Sequence, residues 1–157
     1  MLYVSDSYAY DKAGPGVWRY DLKTGKGGLW CAADFGFANG LALSADGKHL
    51  FVAESANKSV KRLAIDGAGD AGTPEIWIAK VPGIPDGLGW DNKGRFLVSC
   101  YEPSRICREA SPGALEILIE DQGAMSICHP ANVALRGNTL FASNLGRWHV
   151  TAIELDS

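Results

Sequence analysis

The chain has 157 residues, 46% hydrophobic and 21% charged, with a formal net charge of −3. That is enough apolar material for one domain with a buried core, and the composition excludes a disordered chain. No lysine and arginine stripe is present for nucleic acid, and no apolar run approaches the ~20 residues that span a bilayer, so neither partner is expected.

The first segment, Leu2-Tyr3-Val4-Ser5-Asp6-Ser7, reads as a β-strand entered almost at once. It lacks the positive n-region and apolar h-region of a leader, which favours the cytoplasm and suits a chain cut from a longer one. Further strands follow at 17–22 and 28–31. Ala38-Asn39-Gly40-Leu41-Ala42-Leu43 then opens a pattern that returns as Pro85-Asp86-Gly87-Leu88-Gly89-Trp90 and, more weakly, as Ala131-Asn132-Val133-Ala134-Leu135. The anchors Asn39, Asp86 and Asn132 are 47 and 46 residues apart.

Each copy continues into a second apolar strand, at 50–55, 96–101 and 140–145, to which 2–7 is a fourth counterpart. Third strands are expected at 17–22, 60–65, 105–108 and 149–155, and fourth strands at 28–31, 75–78 and 115–119. The segments are short, β-branched or aromatic, and joined by Asp-Gly, Gly-Asn or Lys-Gly turns, while Pro82, Pro85, Pro112 and Pro130 fall in the joints. Four strands per 40–50 residues define a propeller blade. The expected fold is therefore all-β, a partial β-propeller of about three and a half four-stranded blades, at approximately 1–35, 36–81, 82–128 and 129–157. Such an arc leaves blade flanks that invite pairing with another chain, so self-association is expected unless further blades adjoin it.

In a propeller, function gathers where the inner strands meet the axis. Asn39, Asp86 and Asn132 would begin successive inner strands at one height, and Asp6, Glu54, Cys100 and Asn144 would end the returning strands near the same mouth. Oxygen-bearing side chains there suit a hard divalent cation, calcium above all, although Asp86 could equally serve as a turn cap. Glu54 is read as a supporting residue near that site. His129, just before Pro130, reads as a turn or channel-lining residue rather than a base, and Trp148 and His149 as packing or rim residues. Cys31, Cys100, Cys107 and Cys128 form no CxxC and are expected to be free buried thiols, with Cys100 and Cys107 able to face each other across one hairpin.

The stretches Phe37-Ala38-Asn39-Gly40-Leu41, Val52-Ala53-Glu54-Ser55, Pro82-Gly83-Ile84-Pro85-Asp86-Gly87-Leu88 and His129-Pro130-Ala131-Asn132-Val133 resemble the later blades of the senescence marker protein and gluconolactonase family. The resemblance implies a six-bladed ring with an axial divalent cation, commonly calcium, that hydrolyses sugar lactones or related esters. It implies that Asn39 is an oxygen ligand and that Asp86 is both a ligand and the residue assisting attack by water. It also implies a glutamate and an asparagine ligand in blades preceding these. Two readings result: a calcium-dependent lactone or ester hydrolase incomplete in this chain, or a non-catalytic, oligomerising propeller piece acting as a binding or structural module.

Overall fold

The computed structural model describes residues 1–155. They form fourteen strands: β1 (Leu2–Ser5), β2 (Gly14–Tyr20), β3 (Gly27–Phe35), β4 (Ala38–Leu43), β5 (His49–Glu54), β6 (Ser59–Ala64), β7 (Glu75–Ile78), β8 (Pro85–Trp90), β9 (Phe96–Cys100), β10 (Arg105–Ser111), β11 (Ala114–Glu120), β12 (Pro130–Arg136), β13 (Thr139–Asn144) and β14 (His149–Glu154). No helix among the described residues is long and apolar enough to cross a membrane. The strands hydrogen-bond in chain order into four antiparallel sheets, β1–β3, β4–β7, β8–β11 and β12–β14. This is the expected all-β arc of two four-stranded blades flanked by two three-stranded ones.

The sheets stack face to face, and the apolar patterning follows from that. A strand in the middle of a blade touches a neighbouring blade on each face, so its side chains are buried on both sides. Accordingly β9 is buried at every position and β5 at all but His49. Three apolar clusters fill the three interfaces: one built on Val17, Phe35, Leu50 and Leu63, one on Phe51, Ile78, Phe96 and Val98, and one on Leu97, Ile106, Val133 and Leu140. In the middle interface Phe51 meets Trp77 and Trp90 edge-on, with centroids 5.9 and 5.4 Å apart, and Trp90 Nε1 donates to the Leu43 carbonyl at 2.8 Å. A partly buried indole thus joins two blades with its N–H paired, whereas the Trp77 N–H in the same interface has no partner among the described residues.

Toward the axis the blades meet through backbone. A Cβ on Gly40 would overlap the Asp86 carbonyl and Gly87 Cα, and a Cβ on Gly87 would overlap Asn132 and the Ala131 carbonyl. The glycine of each Asn-Gly-Leu or Asp-Gly-Leu motif is therefore the point where the next inner strand passes. The residue before that glycine sits in a bulge, because register slips between Ala38 and Leu41 and again between Pro85 and Leu88.

Register also corrects the third repeat. Ala38, Pro85 and Pro130 oppose Glu54, Cys100 and Asn144, and Leu41, Leu88 and Val133 oppose Val52, Val98 and Ala142. Ala131, not Asn132, therefore occupies the place of Asn39 and Asp86. Asn132 takes the place of the glycines, and its Oδ1 accepts from Val133 N at 2.9 Å.

The axial contact predicts that Gly40→Ala destabilises the fold by about 1–3 kcal/mol, the cost of overpacking against backbone. Gly28→Ala, which meets nothing within 4 Å, should stay within about 0.5 kcal/mol of wild type. Urea midpoints measured for both variants check the contrast.

Candidate functional site

At the end of the arc where β4 and β8 begin, a cavity of about 320 Å³ opens between the second and third blades. Asn39, Ser55 and Asp86 supply its polar surface, Phe37 and Ile84 come from the residues preceding the two inner strands, and Tyr10, Tyr101 and Leu145 complete the lining. Asn39 and Asp86, the two metal-ligand candidates of the sequence, thus meet in one cavity.

The scaffold that holds them is made of serines. Asn39 Nδ2 donates to Ser55 Oγ at 3.2 Å, and Ser55 Oγ donates to the Pro85 carbonyl at 2.5 Å, so one hydroxyl links Asn39 to the backbone entering Asp86. Ser7 repeats the device one blade earlier, donating to the Ala38 carbonyl at 3.1 Å. On the far side of Asp86, Gly87 N donates to the buried Ser99 Oγ at 2.9 Å, pinning the bulge. Ser55 and Ser99 were not singled out in the sequence; the signal available was that Ser7 and Ser55 follow Asp6 and Glu54 at the same place in the repeat.

Asp86 is half-buried and has no basic partner. Burial pushes its carboxyl up to about 6, and the adjacent Asn39 side chain draws it only partly back. The buried carboxylates of Glu54 and Asp91 shift the other way, held down by hydrogen bonds and a neighbouring cation.

The second expected tier does not point into the channel. Asp6 accepts from Trp18 Nε1 at 3.3 Å and from Tyr8 N at 3.0 Å. Glu54, 1% exposed, accepts from Gly36 N at 2.9 Å, Asn57 Nδ2 at 3.0 Å and Ser59 Oγ at 2.7 Å, and pairs with Lys61 Nζ at 3.0 Å. Cys100 lies against Cys107, a contact that together with burial raises its thiol. Asn144 accepts from Cys128 N at 2.8 Å and donates to His149 O and Thr151 Oγ1. The last side chain of each second strand therefore closes its own blade, because the strand's pleat turns it away from the axis. Glu54 is a blade clasp rather than support for the axial pair. Among the described residues, no group of three His, Cys, Asp or Glu side chains is placed to hold a metal.

His129 adopts φ 50° in the turn before β12, stacks on Tyr101 with centroids 4.4 Å apart, and donates from Nδ1 to the Tyr101 carbonyl at 2.9 Å. It is a turn residue, and it stands behind the lining. Trp148 is 90% exposed in the β13–β14 loop, a rim residue, while His149 Nε2 lies 3.1 Å from the Ser126 carbonyl. All four cysteines are free and buried.

A stacked arc of three- and four-stranded antiparallel sheets with a polar pair at its axial mouth is part of a β-propeller. The sequence model of the SMP-30/Gluconolactonase/LRE-like region matches residues 5–141, and the chain belongs to that family. It is 33% identical over 101 residues to the Arabidopsis thaliana protein strictosidine synthase-like 10, a match covering 64% of this chain and 26% of that protein. Among solved structures it resembles a luciferin-regenerating enzyme (21% identity, TM-score 0.72, 90% of this chain and 48% of the other). It likewise resembles a Xanthomonas campestris gluconolactonase (23%, TM-score 0.69, 91% and 46%) and the calcium-binding protein regucalcin from Agrobacterium tumefaciens (19%, TM-score 0.67, 88% and 47%). The chain spans about half the length of these solved relatives and about a quarter of the plant protein.

The clasp at Glu54 carries a pH signature. Burial opposes its charge, but the Gly36 and Ser59 hydrogen bonds and Lys61 outweigh burial and hold its folded acidity below the ordinary 4.5. Its stabilisation is present above 4.5 and lost as pH falls through the lower folded value. Glu54→Gln should cost about 1–3 kcal/mol at pH 7, and the gap to wild type should close as the pH falls below the ordinary 4.5 and through the lower folded value. Denaturation across pH 3–7 measures this; a gap independent of pH contradicts the ionised clasp.

Asp86 has the opposite sign. With its folded value raised from 3.8 to about 6, its contribution to metal-free stability is present below 3.8 and lost as pH rises through about 6. Asp86→Asn should therefore stabilise the metal-free chain at pH 7.5 by about 1 kcal/mol, discounted for its partial exposure, and leave it nearly unchanged at pH 4. Thermal melts in chelator at the two pH values test the sign.

Proposed function

We propose that this chain supplies part of the axial site of a divalent-cation-dependent hydrolase acting on lactones or related esters. One observation carries the reading: Asp86, a half-buried carboxylate with no basic partner, faces the same cavity as the Asn39 amide. An uncompensated buried carboxylate costs stability and is the kind of group kept for binding or chemistry. Family membership supports the reaction class, as do the resemblances to a gluconolactonase and to a calcium-binding regucalcin.

The donor set fits calcium in kind. An amide oxygen and a carboxylate are hard ligands, and no soft thiolate or imidazole lines the cavity among the described residues. Calcium takes six to eight oxygens, so Asn39 and Asp86 would hold it from one side only. A cation held there supplies Lewis-acid polarisation of the scissile carbonyl.

The chain's own part in hydrolysis is proton handling and positioning. Asp86 is the carboxylate the cavity offers for that work, held beside the Asn39 amide with no basic side chain to neutralise it. Asp86 takes a proton from the water whose oxygen bonds to the carbonyl carbon. As the ring C–O bond breaks, the same proton returns to the departing alkoxide, and the product is the hydroxy acid. Ser55 and Ser99 keep Asp86 and Asn39 in register throughout by fixing the backbone on either side.

Calorimetric calcium titration, followed by lactone hydrolysis assays, tests the proposal. Asp86→Ala should weaken calcium binding roughly 10–100-fold and lower kcat/KM by about 10²–10⁴-fold. Calcium binding and turnover left intact in Asp86→Ala would falsify the role assigned to it. A wild type that binds no calcium and hydrolyses no lactone even with the rest of the ring present would instead be a binding or structural module.

A further inference from the structure

The lining of the cavity bears on what kind of acyl compound it takes. Its polar groups are few: Asn39, Ser55 and Asp86, together with two phenol hydroxyls. Ser55 already spends its proton on the Pro85 carbonyl and receives the Asn39 amide, so its hydroxyl is committed to the scaffold, and the groups left for a ligand are Asp86, the Asn39 oxygen and the two phenols. Among the described residues no lysine, arginine or histidine lines the cavity. The remaining surface is Phe37, Ile84, Leu145 and the rings of Tyr10 and Tyr101, with Tyr10 packed on Phe37 at 5.3 Å between centroids.

Exposed apolar side chains also stand on the loops at this end of the arc, beside charged ones such as Asp11, Lys12 and Arg147. Strand direction places the β1–β2, β11–β12 and β13–β14 loops at the end where β4 and β8 begin. These loops carry Tyr8, Met125 and Trp148, which are 62, 66 and 90% exposed. A polyhydroxylated lactone would bring several hydroxyls into the cavity, and those that meet Phe37, Ile84 and Leu145 would go unpaired and lose affinity. An apolar substituent on the same ring would instead gain from every methylene removed from water.

We infer that the site selects lactones or esters bearing an apolar alkyl or aryl substituent, in preference to sugar lactones. The inference rests on the hydrolase reading for the reaction but not for the binding preference. This separates the two in one experiment: hydrolysis of δ-valerolactone, δ-hexalactone, δ-octalactone and glucono-δ-lactone with calcium present, alongside calorimetric binding of the matching alkyl lactams, which the chemistry cannot open. The expected result is a kcat/KM and a lactam affinity that rise roughly two- to fourfold per methylene, with glucono-δ-lactone below δ-valerolactone.

Phe37→Asn and Leu145→Asn should each flatten that slope. Phe37 stands at φ 59°, which asparagine accommodates, and Leu145 is 55% exposed, so both variants should keep the wild-type circular dichroism spectrum. Turnover that favours glucono-δ-lactone with no dependence on alkyl length overturns the inference and leaves the hydrolase reading standing. Lactam affinity that climbs with length and falls in the variants, without any lactone hydrolysis, upholds the inference and sinks the hydrolase reading. Absence of both lactam binding and length-dependent turnover overturns the inference.

Discussion

The structure depends first on how closely the inner strands approach one another at the axis. Side chains separate the blades over most of their faces, but at Gly40 and Gly87 the backbone of one blade rests on the backbone of the next. That contact leaves no room for a Cβ, so it selects glycine directly and sets the angle at which successive sheets fan out. It also decides where the flanking residues stand. Asn39 and Asp86 each precede one of these glycines inside a bulge, and the bulge turns their side chains toward the open mouth.

Around this backbone contact the polar and apolar parts divide cleanly. Wide of the axis, rings such as Phe51, Trp77, Trp90 and Phe96 pack into the blade interface. Near the axis, hydroxyls take over, because strand ends leave carbonyls that need donors. Ser7 and Ser55 satisfy those carbonyls across the blade boundary. Asp86 is the exception, a carboxylate that burial leaves without a compensating cation or donor of adequate strength, at some cost to the metal-free fold.

Much of this was legible in the residues. The recurrence of Asn-Gly-Leu and Asp-Gly-Leu at one-blade spacing, with strands and turns repeating between, reflects a local requirement that every blade meets in the same way. The pairing of Asn39 with Asp86 followed from it. Asn132 was misplaced because identity of letters stood in for register: the third bulge places Asn132 against Ser143, and only the hydrogen-bond ladder shows Ala131 in the anchor position. Glu54 and Asn144 were expected to face the channel because they lie at the correct height. Height is set by strand length, but direction is set by pleat and twist, which a motif does not encode. The apolar wall was likewise hidden, since Tyr10, Ile84, Tyr101 and Leu145 come from four separate loops with no common pattern.

The clasp at the end of each second strand shows how far such a repeat can diverge. Aspartate, glutamate, cysteine and asparagine fill the same position in four successive blades: Asp6 reaches an indole, Glu54 a lysine and a serine, Cys100 another thiol, and Asn144 a backbone amide and a threonine. The architecture asks only that the position be closed, and each blade has its own partners for closing it. Equivalent positions are therefore not interchangeable parts. A blade grafted whole would carry its clasp with it, whereas a single residue copied from a sister blade would arrive without the partners that make it fit.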